Sequence, residues 1–263
     1  MNFTGLFFGA VLFSSIFSSS IFIVGSGESD QIPDGGFRQS TLYSTIPEQQ
    51  KNTRPQLAII EPKNKTRHAL NSLIRYAVTV SDVEDGESKY GEILSHEVFV
   101  ELRFMEGTPP VSRQDIQIAP EQPIGLTIIN SSDCFSCHQF KNKLIGPSFQ
   151  EIANRYSRTP AAIKLLAQRI RDGSAGIWSE IVMPSHSDLS SRAAEDIVDW
   201  ILKNGANLNA NYMVGKEGSV KLELPPGAGD GYFTLKASYT DKGLPEKPND
   251  KMTGEDMIVL LYE

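Results

Sequence analysis

Residues 134–138 read Cys-Phe-Ser-Cys-His and contain both cysteines of the 263-residue chain. Two thiols three apart, followed at once by an imidazole, could serve as a disulfide, a metal site, a thiol redox pair or a covalent haem anchor. Zinc wants four ligands and only three cluster here, so a zinc site needs a distant fourth such as His186. A thioredoxin-like pair needs a βαβ setting that the flanking sequence lacks. A disulfide closing so short a loop constrains the unfolded chain least. The CxxCH spacing fits c-type haem attachment better. On one helical turn, residues three and four apart share a face, so Cys134 and Cys137 can reach two vinyl groups of one porphyrin while His138 points to the iron. A zinc or disulfide module, which predicts a colourless protein, stays open on these five residues alone.

A sixth iron ligand would narrow the choice. Residues 173–186, Gly-Ser-Ala-Gly-Ile-Trp-Ser-Glu-Ile-Val-Met-Pro-Ser-His, place Met183 in an irregular loop, 183 − 138 = 45 positions after the histidine. A thioether there could swing onto the open side of the iron, although loop methionines also simply fill cores. Met105 and Met257 lie in or beside strand patterns, and Met213 and Met252 follow the helical segment, so they are less well placed.

The elements around these residues are legible from periodicity. Thr159 can cap a helix that opens at Pro160, runs through Ile163, Leu166, Ala167 and Ile170 and closes at Gly173. Ser190 can cap a second, with Ala194, Ile197, Val198, Ile201 and Leu202 on one stripe and Gly205 after its end. Leu144, Phe149, Ile152, Ile163, Leu166, Trp178 and Ile197 form the expected core of this helical part. On either side the texture is β: Leu57–Ile60, Leu73–Val80 and Glu97–Phe104 before it, Val220–Leu224, Tyr232–Tyr239 and Met257–Tyr262 after it, with Gly125–Ile129 as a further candidate strand. Tyr76, Val78 and Val80 alternate onto one face. Six or seven strands make one Ig-like sandwich, whereas a hairpin-sized piece on each side would be marginal alone. The acidic turn Asp82, Glu84, Asp85, Glu87 is expected to be a solvated turn and not a calcium loop, because it lacks a loop ligand pattern.

From Ser132 to Gly205 the chain resembles the short bacterial class I cytochromes c almost end to end. The resemblance is carried by CFSCH, Ile145-Gly146-Pro147-Ser148-Phe149, the Ala161–Arg171 helix, GSAGIW with VMP, and a closing amphipathic helix with Trp200. It implies one haem c, covalently attached through Cys134 and Cys137, with His138 and Met183 as axial ligands. It also implies that the Pro147 carbonyl orients the ligand imidazole and that the Trp178 indole N–H meets a haem propionate. The sequence departs from the family in having Ser-Glu after Trp178 and His186 after the Met-Pro pair; His186 could be a rival ligand, and a surface position is the expectation. More weakly, Pro62, YAVTVSDVEDGE, GYFTLKASYTDKG and GEDMIVLL resemble the PKD-like β segments around a class I cytochrome in large exported proteins that also carry a sugar-dehydrogenase propeller. No propeller pattern is present.

The expected fold is therefore multidomain α and β: an all-α class I cytochrome c domain inserted in or flanked by an Ig-like (PKD-like) β-sandwich. The expected boundaries are 1–25 signal peptide or membrane anchor, 26–54 linker, 55–124 first part of the sandwich, 125–209 cytochrome domain and 210–263 second part. Residues 1–25 carry no charged side chain and are long enough to cross a bilayer, so they read as an export signal or a retained tether, and the remainder as extracytoplasmic. Net charge is −7; residues 130–206 hold 9 basic and 8 acidic side chains, leaving −8 elsewhere, which argues against a nucleic-acid partner. A haem with both axial positions filled has no substrate site and moves single electrons. The expected function is an exported electron carrier, not an enzyme, relaying electrons from a dehydrogenase acting in trans to unidentified redox partners. The alternatives are a haem-based ligand-binding or sensing module and the haem relay of a carbohydrate-binding assembly.

Overall fold

The computed structural model describes residues 51–112, 115 and 123–263. The expected signal or anchor (1–25) and all but the last residues of the expected linker (26–54) lie outside them.

Alternating apolar residues build most of the strands. β1 (Gln56–Glu61), β2 (Arg67–His68), β3 (Leu73–Asp82), β4 (Gly86–Glu87) and β5 (Phe99–Glu106) precede the helices. β6 (Ala210–Val214), β7 (Glu217–Lys221), β8 (Gly231–Thr240) and β9 (Thr253–Tyr262) follow them. One sheet has the order β1-β3-β4 with β7 also on β3, and the other runs β2-β9-β8-β5-β6. A single core holds both together: Ile74, Tyr76, Val78 and Val80 of the first sheet meet Val100, Leu102, Phe104, Leu235, Ile258 and Leu260 of the second. Each fully buried aliphatic side chain contributes roughly 1.5–3 kcal/mol to that association.

Both sheets join strands from before and after the helices. β3 pairs β7 antiparallel from Leu73 opposite Lys221 to Ala77 opposite Glu217. β5 pairs β6 on one side, Phe99 opposite Val214 through Arg103 opposite Ala210, and β8 on the other. The Phe104 N–H donates to the Asn209 carbonyl at 2.7 Å, so the chain leaves the sheet and returns to it at adjoining positions.

The helical part comprises α1 (Ile124–Asn130), α2 (Cys134–Cys137), α3 (Phe149–Arg155), α4 (Pro160–Asp172) and α5 (Ser191–Asn204). Gly125–Ile129 is thus helix, not the strand its β-branched residues suggest. Leu126 and Ile129, three apart, are buried, and Gly125 lies so close to α5 that a Cβ would sit 2.1 Å from the Asp196 carbonyl oxygen. Tertiary packing here overrides local propensity. Thr159 and Ser190 cap α4 and α5, accepting from the N–H groups of Ala162 and Ala193. Gly205 follows α5 in ordinary helical conformation; its value is the absence of a Cβ, which would come within 2.5 Å of the Phe149 carbonyl oxygen.

Aromatic side chains fix the helices to the outer face of the second sheet. Phe99 and Tyr212 of β5 and β6 pack with Phe135, Phe140, Phe149, Trp200, Leu126, Ile129 and Ile197 in one cluster. Tyr212 is its centre, with ring centroids 5.7 Å from Phe99, 4.7 Å from Phe140 and 5.2 Å from Trp200.

The acidic turn after β3 is tied down instead of merely solvated. Asp82 is buried and its Oδ1 accepts the N–H groups of Glu84 and Asp85. Asp85 Oδ2 accepts the Tyr239 hydroxyl at 2.7 Å and the Lys242 N–H at 2.9 Å.

Candidate haem site

The CxxC pair forms the single turn α2, closed by the His138 N–H donating to the Cys134 carbonyl at 2.9 Å. The following loop folds back on it, with Ile145 N–H and Gly146 N–H both donating to the Cys137 carbonyl at 3.1 and 2.9 Å. That return brings the Pro147 carbonyl oxygen 2.6 Å from His138 Nδ1. A carbonyl only accepts, so Nδ1 carries the proton and Nε2 of the neutral ring keeps its lone pair. Phe149 stacks on the imidazole at 5.7 Å between ring centroids, tilted by 14°. Ser148 holds the turn by capping α3: its hydroxyl accepts Glu151 N–H, and its own N–H donates to the Glu151 carboxylate at 2.7 Å.

Burial pushes the His138 pKa below the ordinary histidine value, against the Pro147 bond that raises it, and nearby His186 lowers it further. A neutral imidazole is the form that binds metal. Burial pushes the Cys134 thiol up to about 11, with Asp133 adding to the rise, so it is not an activated thiolate. Neither cysteine is bridged.

His138, Cys134 and Cys137 open onto one cavity whose surface is mostly apolar, walled by Pro147, Phe149, Ile152, Leu166, Ile170, Trp178, Ile197 and Ile201 among others. Met183 lines it too, and Met105, Met213, Met252 and Met257 do not. Its loop is clamped by a two-way backbone pair with Ser174, at 3.1 and 2.8 Å. Gly173 makes that closure possible: it ends α4 at φ +81°, and a Cβ there would sit 2.9 Å from the Met183 carbonyl oxygen. Trp178 lies under the Arg155 guanidinium, 4.5 Å from its ring centroid, and Arg155 also donates to the Ile177 carbonyl.

All six residues singled out in the sequence as haem contacts, Cys134, Cys137, His138, Pro147, Trp178 and Met183, therefore line this one cavity. Two sequence expectations fail. Leu144 is 48% exposed and away from the cavity, its neighbour Ile145 taking that place. Ile163 does join the helical core as expected, packing with Ala167, Ala194, Val198 and Leu202 between α4 and α5, although it does not line the cavity. His186 is no surface histidine; its side chain is 18% exposed and lines the cavity. Two further residues went unnoticed. Arg169 lines the cavity and donates to the Tyr156 hydroxyl at 3.0 Å, and its spacing from Leu166 and Ile170 on α4 could have revealed it. Asp133 meets His186 across 53 residues, a contact no local pattern signals.

The donor set suits a porphyrin. The cavity is apolar, the imidazole is neutral with one nitrogen tied and one free, and Gly146 makes room for the ring, since a Cβ would come within 2.5 Å of His138 Cε1. Among the described residues no three His, Cys, Asp or Glu side chains converge to hold a bare metal ion.

Residues 124–205 match the cytochrome c family model. Over 75 residues the chain is 36% identical to cytochrome c-552 of Nitrosomonas europaea, covering 28% of this chain and 73% of that protein. It is 37% identical over 78 residues to cytochrome c2 of Rubrivivax gelatinosus, covering 29% of this chain and 92% of that protein. The crystal structure of the Nitrosomonas europaea cytochrome c552 shares 35% identity, with 29% of this chain and 95% of that one covered at a TM-score of 0.28. The chain belongs to the cytochrome c family through this helical segment. Its cofactor is one covalently attached haem c at Cys134 and Cys137.

Proposed function

We propose that the protein is an exported monohaem electron carrier in which His138 and Met183 are the axial ligands of the iron. The observation that carries this reading is the single apolar cavity with the CxxCH turn and Met183 both on its lining. When bound, haem c supplies one-electron ferric–ferrous chemistry, and Met/His ligation raises its potential. The chain's own residues set the rest. Pro147 holds the His138 ring, the Ser174 pair holds Met183, and Phe149, Ile152, Leu166 and Ile197 exclude water. Trp178 and Arg169, both on the cavity wall, are the donors proposed for the propionates.

The β strands are proposed to form one Ig-like, PKD-like sandwich interrupted by the cytochrome domain, with the division 1–25, 26–54, 55–124, 125–209 and 210–263. The shared core of the two sheets and the pairing of β5 with β6 support this. The sandwich acts as a base for the haem domain, the donor is a dehydrogenase acting in trans, and the compartment is extracytoplasmic. The test is the visible spectrum of protein made with haem attachment machinery, beside Met183→Ala. A covalent haem whose ferric sulfur-to-iron band vanishes in the variant is the expected result, and a colourless protein or a band indifferent to the substitution would overturn the ligand assignment.

A further inference from the structure

The cavity holds a second histidine arranged like the first. His138 has Nδ1 tied to the Pro147 carbonyl, and His186 has Nε2 tied to Asp133 Oδ1 at 3.1 Å. A carboxylate accepts, so Nε2 carries a proton, and whenever the ring is neutral it is Nδ1 that holds the lone pair. That Nδ1 is fully buried and has no hydrogen-bond partner. Buried polar atoms without partners are uncommon in folded proteins, and each asks for an explanation. Metal-bound histidines characteristically donate their other ring nitrogen to a carboxylate or a carbonyl, which fixes the ring and raises the basicity of the ligating nitrogen. Both cavity histidines fit that description, one through each kind of acceptor.

The position is also fixed from the backbone. The His186 N–H donates to the Ile170 carbonyl of α4 at 3.0 Å, and His186 follows Met183 by three residues in the same loop. Asp133 directly precedes Cys134, so the hydrogen bond joins this loop to the haem-attachment turn.

We propose that His186 is a reserve axial ligand, its Nδ1 binding the haem iron in place of the Met183 thioether when that sulfur leaves. The inference rests on the proposed assignment of Met183. The exchange is a substitution of one neutral two-electron donor for another, with no change of oxidation state. It closes the iron to small exogenous ligands during any excursion of the methionine loop, and so separates this protein from a gas-binding haem.

The experiment compares four holoproteins: wild type, Met183→Ala, Met183→Ala with His186→Ala, and Met183→Ala with His186→Asn, the last keeping a polar group near Asp133. Ferric spin state is read by electron paramagnetic resonance, and carbon monoxide binding is titrated on the reduced forms. The expected result is a low-spin Met183→Ala protein without the sulfur-to-iron band, binding carbon monoxide at least tenfold more weakly than either double variant, both of which turn high-spin. A Met183→Ala protein that is already high-spin and binds carbon monoxide as tightly as the double variants overturns the reserve-ligand proposal while leaving Met183 assigned. A wild-type spectrum without the sulfur-to-iron band overturns the Met183 assignment itself and with it this proposal.

Discussion

Gly146 and His138 meet face to face: the glycine backbone lies where any side chain would strike the imidazole, with a Cβ within 2.5 Å of Cε1. Because the same ring is pinned at Nδ1 by the Pro147 carbonyl, it cannot step aside without losing that bond. Gly146→Ala is expected to lower the yield of covalent haem and to destabilise the holoprotein by about 1–3 kcal/mol, as overpacking typically does. Haem content by alkaline pyridine spectrum and the thermal midpoint measure both; unchanged values would contradict the packing argument.

The reciprocal bonding of Ser148 and Glu151 positions the loop that carries that carbonyl. Ser148→Ala removes the acceptor for Glu151 N–H and is expected to cost about 1 kcal/mol of stability. Urea denaturation followed at 222 nm reports it, and Ser148→Thr, which preserves the hydroxyl, is expected to restore most of the loss.

Tyr212 joins the β sheets to the helices, so wild-type holoprotein is expected to unfold in one transition seen alike by far-ultraviolet dichroism and haem absorbance. Tyr212→Ala removes its contacts with Phe99, Phe140 and Trp200 and is expected to cost about 3–5 kcal/mol. The two signals should then separate along the denaturant axis. Coincident curves in the variant would mean that the cluster does not couple the two parts.

Alkaline pH tests the buried phenols. Burial pushes Tyr76 and Tyr212 up to about 12, and burial together with the Asp85 hydrogen bond raises Tyr239 further. Each is protonated in the fold over a range in which the unfolded chain, with phenols near 10, is ionised. Their contribution is complete below about pH 10 and is lost as pH rises toward 12, by roughly 2–3 kcal/mol for each of Tyr76 and Tyr212. Phenolate absorbance near 295 nm should therefore rise late and together with loss of the β dichroism signal. Early, reversible ionisation of all eight tyrosines without unfolding would refute the burial argument.

What could be read in the sequence was what local spacing encodes. Thr159 and Ser190 mark their helices because capping needs only a side-chain oxygen and the first turn. Tyr76, Val78 and Val80 reveal a buried face because a strand repeats every two residues. Cys134, Cys137 and His138 were accessible from the CxxCH spacing and Met183 as a loop candidate, whereas Pro147 and Trp178 came only from the resemblance to class I cytochromes c. What escaped depended on partners far along the chain. Gly125–Ile129 is helical because of α5, some 70 residues on, and β6 is too short for its alternation to show until β5 lies beside it. His186 looks like a surface histidine until Asp133 is known to face it, and the acidic turn looks solvated until Tyr239 arrives from β8.

The adjoining exit and return of the chain at Phe104 and Asn209 bear on how the molecule is made. β7, β8 and β9 follow the helices in the chain, so neither sheet can complete until the entire haem segment has been synthesised. The helices, whose contacts are mostly local, can form first. Once they do, α1 lies packed against α5, which brings the start and the end of the helical segment together. Closing the second sheet then costs less entropy than closing an unstructured loop of the same length. The guest thus acts as the turn on which its host folds.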